Sequence, residues 1–183
     1  MDFSGSFGDG PGPGGGTPTP FVAGYKPHQG DLMVYGGGVA TLIGVLATVV
    51  QVNPVFLVIS LMGTFSALYF WPTLDPRVPQ LGADLRGIYV ARVGIIRWEA
   101  IADMKVEWHA LRTMQLSTLV LKVDGPLKDA LAYREKVPLL HRVSAHNARV
   151  SGSTVKVTLH TLNMDPAVIE KRLVALRAAA KDA

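Results

Sequence analysis

Residues 32–74 form a run of 43 residues without a single Asp, Glu, Lys, Arg or His. One helical membrane crossing takes about 20 apolar residues, so the run is long enough for two crossings and a turn. Asn53-Pro54 stands near its middle, and an Asn-Pro pair favours turn initiation. The reading is a transmembrane hairpin over residues 31–74, with a first helix at 32–52 and a second at 54–72. Ionisable residues inside a membrane mark ion and substrate paths, and their absence here argues against a transporter or proton channel. No histidine stands in the run to ligate a haem or chlorophyll.

Small residues recur every four positions in both helices. Gly36, Ala40, Gly44 and Thr48 do so in the first, and Ser60 with Thr64 and Gly63 with Ala67 in the second. Small side chains let membrane helices approach closely. These faces either close the hairpin on itself or dock a helix of another subunit. Tyr69, Phe70 and Trp71 end the second helix as an aromatic belt, with Arg77 just beyond.

The segments flanking the hairpin differ in charge. Of the 18 Lys and Arg residues only Lys26 precedes it, whereas Arg77, Arg86, Arg92 and Arg97 follow it closely. The positive-inside rule then puts the following domain in the cytoplasm, and two crossings bring the N-terminus to the same side. A sequence pI near 9.5 also suits nucleic acid, but a membrane tether at an anionic leaflet already explains the sign, so no nucleic acid partner is expected. The run starts far from Met1 without a basic segment before it, unlike a secretory signal. There is no cysteine, so disulfides, thiolate metal sites and a Cys nucleophile are excluded.

Residues 1–30 are rich in Gly and Pro, almost uncharged and without apolar periodicity. The expectation is a tail that, alone, buries too little surface to offset its ordering entropy. Residues 75–80 read as an extended linker. Residues 81–183 read as one small α+β domain with antiparallel strands at 87–91, 94–98, 101–108, 116–123 and 155–159. The Arg92-Val93 connection marks a hairpin. Residues 125–152 read as a helical, basic insertion broken at Pro138. The C-terminal stretch 165–182 reads as an amphipathic helix with Pro166 in its first turn and Val168, Ile169, Leu173, Leu176 and Ala180 on one stripe.

The segments GIYVARVGIIRWEAIADMKV (87–106) and VKVTLHTLNMDPAVIEKRLVAL (155–176), behind a two-helix anchor, resemble a family of bacterial membrane proteins of uncharacterised function. Its members carry two transmembrane helices followed by a pleckstrin-homology-like domain. The resemblance implies an antiparallel β-barrel or sandwich closed by the C-terminal helix. It brings no catalytic residues. Pleckstrin-homology folds elsewhere bind phosphoinositides through basic residues of the first hairpin. Here that hairpin offers only Arg86, Arg92 and Arg97, on a connection too short for a head-group pocket.

Other constellations read as ordinary surface or core. Asp103, Glu107 and His109 share a strand face, as a metal site requires, but the opposite face holds Met104, Val106 and Trp108, so the trio reads as the solvated side. Trp98 reads as core. Ser144 with His141 and His146 lacks the spacing and the elbow of a nucleophile site. Gly36-Gly37-Gly38 has no phosphate-loop Lys behind it. Lys128, Arg134, Lys136, Arg142 and Arg149, interleaved with Leu residues, and Arg86 are expected lipid or partner contacts on an anionic leaflet.

The sequence thus leads to an expectation of a non-enzymatic accessory or scaffold subunit, with no cofactor, in a bacterial inner-membrane complex. Its partners are other integral membrane subunits, with anionic lipids as further contacts. A respiratory or photosynthetic complex is the kind of host that fits. The alternative is a membrane-anchored sensor of anionic lipid head groups.

Overall fold

A computed structural model describes residues 18–51, 53–111, 114–135 and 144–182. The uncharged run folds as two antiparallel helices, α1 (Asp31–Gln51) and α2 (Val55–Phe70), and a 3-10 turn at Trp71–Thr73 extends the second. The carbonyl of Gly30 accepts from the N–H groups of Met33 and Val34 at the start of α1. Between the helices, the Asn53 side chain accepts the Val55 N–H at 3.0 Å. Both helices are long and apolar enough to cross a membrane. Their large side chains point outward, with Leu42 66% and Phe65 63% exposed.

The remaining chain forms two antiparallel sheets. One has the order β1 (Phe21–Ala23), β2 (Leu81–Asp84), β3 (Gly87–Val90), β4 (Gly94–Arg97) and β7 (Leu131–Arg134). The other has the order β5 (Ile101–Leu111), β6 (Met114–Val123), β9 (Thr154–Thr158) and β8 (Ala148–Ser151). A single helical turn, α3 (Leu127–Ala130), precedes β7, and α4 (Pro166–Asp182) ends the described chain. The period-two alternation of a half-buried strand is visible in both sheets. Phe21, Ala83, Ile88 and Ile96 point inward from the first, and Leu119, Leu121, Val155 and Val157 from the second. Ile169, Leu173 and Leu176 of α4, all at 0% exposure, complete one core.

Several expectations need correction. The sheets do not close into a barrel. The chain leaves β4 through a 3-10 turn at Trp98–Ala100, and β5 then pairs with β6 instead of β4. Trp98 pins that corner, its indole N–H donating to the Asp84 carbonyl at 2.8 Å, and it is buried as expected. The described parts of the stretch 125–152 differ from the expected helical insertion. They are one turn of helix and two strands, β7 on β4 and β8 on β9. Pairing with an open sheet edge overrides the weak helical tone of so short a segment. Lys136, His141 and Arg142 lie outside the described residues, as does most of the expected tail, residues 1–17. The tail does not run to residue 30, because Phe21–Ala23 is a strand on β2 with Phe21 and Ala23 in the core. A three-residue strand carries too little pattern to be read from sequence.

Candidate functional site

The helix pair is closed by a seam of close backbone approaches. A β-carbon added to Gly37 would lie 2.7 Å from the Gly63 carbonyl oxygen, and one added to Gly63 would lie 2.6 Å from that of Gly37. At Gly44 it would meet Phe56 and Ser60 at 2.8 Å. Polar groups stitch the same seam. The Thr41 hydroxyl is 3.2 Å from that of Thr64, and the Ser60 hydroxyl donates to the Thr41 carbonyl at 3.1 Å. The expected docking residues Gly44, Ser60, Gly63, Thr64 and Ala67 therefore belong to the hairpin's own interface. Thr48 donates back to the Gly44 carbonyl at 2.7 Å, and Ala40 is half-buried. Gly36 is exposed and has nothing within 4 Å of where a β-carbon would stand.

Sequence reasoning missed Gly37 and Thr41 because it followed a strict four-residue repeat. A helix with 3.6 residues per turn drifts off such a repeat, and the face that stays on a partner is spaced four then three. Gly37, Thr41 and Gly44 have that spacing.

The hairpin is tied to the sheets on both of its strands. On the entering strand, the Lys26 N–H donates to the Thr161 carbonyl at 2.9 Å and the Asn163 N–H to the Gly24 carbonyl at 3.0 Å. Gly30 lies close against Thr73, where an added β-carbon would overlap the Thr73 hydroxyl. On the leaving strand, the Ala145 N–H donates to the Tyr69 carbonyl at 2.8 Å, and the Gln80 N–H to the Ala23 carbonyl at 2.9 Å. The expected linker 75–80 is thus part of a fixed joint. Its prolines leave Asp75 to cap the turn, accepting the Arg77 N–H at 2.9 Å.

Arg92 sits at this joint and was not singled out from the sequence as a joint residue. It adopts φ 67° in the β3–β4 turn, a left-handed conformation that costs a non-glycine residue about 1–2 kcal/mol. Glu135 holds it there, its Oε2 accepting the Arg92 N–H at 2.6 Å and the Tyr89 hydroxyl at 3.2 Å. The guanidinium donates to the Ser144 carbonyl at 3.1 Å, the Ser144 hydroxyl at 2.8 Å and the Ala145 carbonyl at 3.1 Å. Ala145 in turn holds Tyr69, so one arginine links the β3–β4 hairpin to the end of α2. Burial pushes the Tyr89 phenol well above its usual range, and the Glu135 carboxylate adds to the shift. Burial also raises Tyr25, with Arg92 opposing. Burial lowers Arg92 itself, against the favourable fields of Tyr25 and Glu135. The cluster joins the β3–β4 hairpin, Glu135 and Ser144 to the end of α2.

The interface residues Tyr69 and Phe70 make an edge contact with ring centroids 4.9 Å apart, and Tyr69 stacks on Phe65 at 6.0 Å. Trp71 is 64% exposed, and Arg77 is exposed beyond it. Chain direction sorts the basic residues. β2 runs away from the hairpin, so Arg86, after β2, lies at the far end. Arg97 donates to the Asp129 carbonyl, which puts Lys128 at that end too. Arg134 pairs with Gly94 at the near end. Arg149 lies opposite Lys156, in one cross-strand row with Val120 and Lys105.

Among the described residues no three His, Cys, Asp or Glu side chains group as a metal site. Glu107 instead accepts from Lys105 at 2.6 Å, and that hydrogen bond holds its carboxyl below the usual range. An apolar cleft of about 160 Å³ opens on the outer face of the five-stranded sheet, where Val22, Gly82, Tyr89 and Ile95 stand in register beside Pro20 and Pro79. Comparison with protein-family models, curated proteins and solved structures finds no match for this chain.

Proposed function

We propose that this chain is a non-enzymatic accessory subunit of a larger bacterial inner-membrane assembly, with the sheet domain and both ends in the cytoplasm. One observation carries this reading: the hairpin and the sheets are fastened by backbone hydrogen bonds on both connecting strands. A flexible tether needs no such joint, whereas a subunit that fixes the position of neighbours does. The hairpin seals one face of each helix and leaves the rest of its apolar perimeter, including Gly36 and Gly38, to partner helices or lipid. On this reading the sheet domain is pleckstrin-homology-like in type, and its apolar outer cleft is a further contact surface. Extraction in mild detergent, followed by native electrophoresis and mass spectrometry, is the test. Defined stoichiometric partners are expected, and recovery of the free monomer alone overturns the proposal.

A second reading has its own observation. Arg149 and Lys156 face each other directly across β8 and β9, a like-charge pairing that costs stability unless an anion screens it. Lys105 in the same row is held by Glu107, so the Arg149–Lys156 pair is the part of this face that suits anionic head groups. Binding of the full chain's sheet domain to anionic vesicles, steeply weakened by salt, supports it. Equal binding to neutral vesicles refutes it.

A further inference from the structure

The β5–β6 ribbon outgrows its sheet. β9 pairs with β6 only over residues 118–122, while β5 and β6 go on pairing from Glu107–Thr118 out to Leu111–Met114. The direction of this overhang is fixed by the chain. Ala145, hydrogen-bonded to Tyr69, lies at the end of α2. From there β8 runs away from the hairpin, so antiparallel β9 runs toward it, β6 runs away and β5 runs toward it. Two further contacts agree. Leu162, just after β9, bridges Tyr25 on the way into α1, and Arg177 near the far end of α4 donates to the Ile101 carbonyl at the start of β5.

The length of the overhang decides how far it reaches. Thr158, opposite Thr118, donates to the Asn147 carbonyl at 3.0 Å, and Asn147 is two residues from Ala145. The two-residue step from Asn147 to Ala145 spans about 7 Å, at about 3.3 Å per residue, so that row lies near the level of Tyr69. The four residues from Thr118 to Met114 extend about 13 Å on the same scale, so the ribbon passes the level of the Tyr69–Trp71 belt.

The chemistry of the ribbon changes where it leaves the sheet. Beyond Lys105 and Glu107, residues 108–111 and 114–118 carry no Asp, Glu, Lys or Arg, and Arg112 stands in the sequence between them. Trp108 is 47% exposed, on the face whose earlier residues Met104 and Val106 are covered by α4. Tryptophan, with an apolar body and one N–H donor, is favoured where hydrocarbon meets water.

We propose that this ribbon, through Trp108, Ala110 and Leu116, rests in the head-group layer of the bilayer that the hairpin spans. It makes a second membrane contact beside the helices. The proposal depends on the hairpin being in a membrane, and the test separates the two. The chain has no cysteine, so single spin labels can be placed by Ala110→Cys and Gln115→Cys on the ribbon, Leu42→Cys on α1 and Ser151→Cys at the far end of β8. Each full-length variant is reconstituted in nanodiscs of phosphatidylcholine and phosphatidylglycerol, and its collision rates with oxygen and with a water-soluble nickel chelate are measured. The expected oxygen-to-nickel ratio at 110 and 115 lies between those at 42 and 151 and clearly above that at 151. Ratios at 110 and 115 equal to that at 151, with residue 42 lipid-exposed, overturn the ribbon contact and leave the hairpin reading standing. A water-like ratio at residue 42 overturns both.

Discussion

Replacing Gly63 by Ala tests the helix seam most directly. The added carbon would lie 2.6 Å from the Gly37 carbonyl oxygen and 2.9 Å from the Thr41 nitrogen. Both are backbone atoms of α1, so the strain is relieved only by moving the helices apart. Overpacking of this kind costs about 1–3 kcal/mol. Alanine also favours the helix over glycine by up to about 1 kcal/mol, which partly offsets the loss. At Gly36 the added carbon meets nothing, so only the propensity gain remains. Gly63→Ala should therefore be less stable than Gly36→Ala by about 1–3 kcal/mol, combining those two ranges. Unfolding in mixed micelles of rising dodecyl sulfate content, followed by circular dichroism, reads the difference. Spin labels at Leu46→Cys and Leu57→Cys should also show a longer interhelix distance in Gly63→Ala. Equal stabilities for the two variants, or an unchanged distance, would refute the seam as the close contact.

Arg92→Ala removes three charged hydrogen bonds of the joint, with charged bonds worth about 1.5–3 kcal/mol each, and alanine keeps the left-handed strain. It should lower the melting temperature in detergent and speed proteolysis between Arg77 and Gln80, and Arg92→Lys should restore little of either. Phe21→Ala should cost about 3–5 kcal/mol in denaturant unfolding, as core truncation does, whereas a tail residue would cost nothing measurable. Tyr89 keeps its proton in the folded chain beyond the pH at which a free tyrosine loses it. Its contribution is complete below pH about 10 and is lost as pH rises further. Tyrosinate absorbance should show a late step that Tyr89→Phe removes. Glu107 is held below the usual carboxyl range, so the contribution of its pair with Lys105 is present at neutral pH and lost on acidification through the folded-state value. Thermal melts of Glu107→Gln should lack that acid dependence.

The sequence by itself determined the two apolar helices, because a charge-free run of 43 residues with Asn53-Pro54 near its middle has the length for two helices and a turn. It also determined the strands expected at 87–91, 94–98, 101–108, 116–123 and 155–159 and the final helix, though not the full length of β5 and β6, which run on to Leu111 and back to Met114. The tertiary structure alone decided the rest. Strands β1, β7 and β8 are as short as β3 and β4 but lack the hairpin connection that marks those two, and only a neighbouring edge makes them strands. Which glycines touch depends on how two helices are turned toward each other, so Gly37 lies in the seam and Gly36 lies outside it, although they are adjacent in the chain. Arg92 became a joint residue only because Glu135 and Ser144, 43 and 52 positions away, converge on it. Local pattern records which residues are buried; the partner that buries them comes from distant chain, and no window along the sequence contains it.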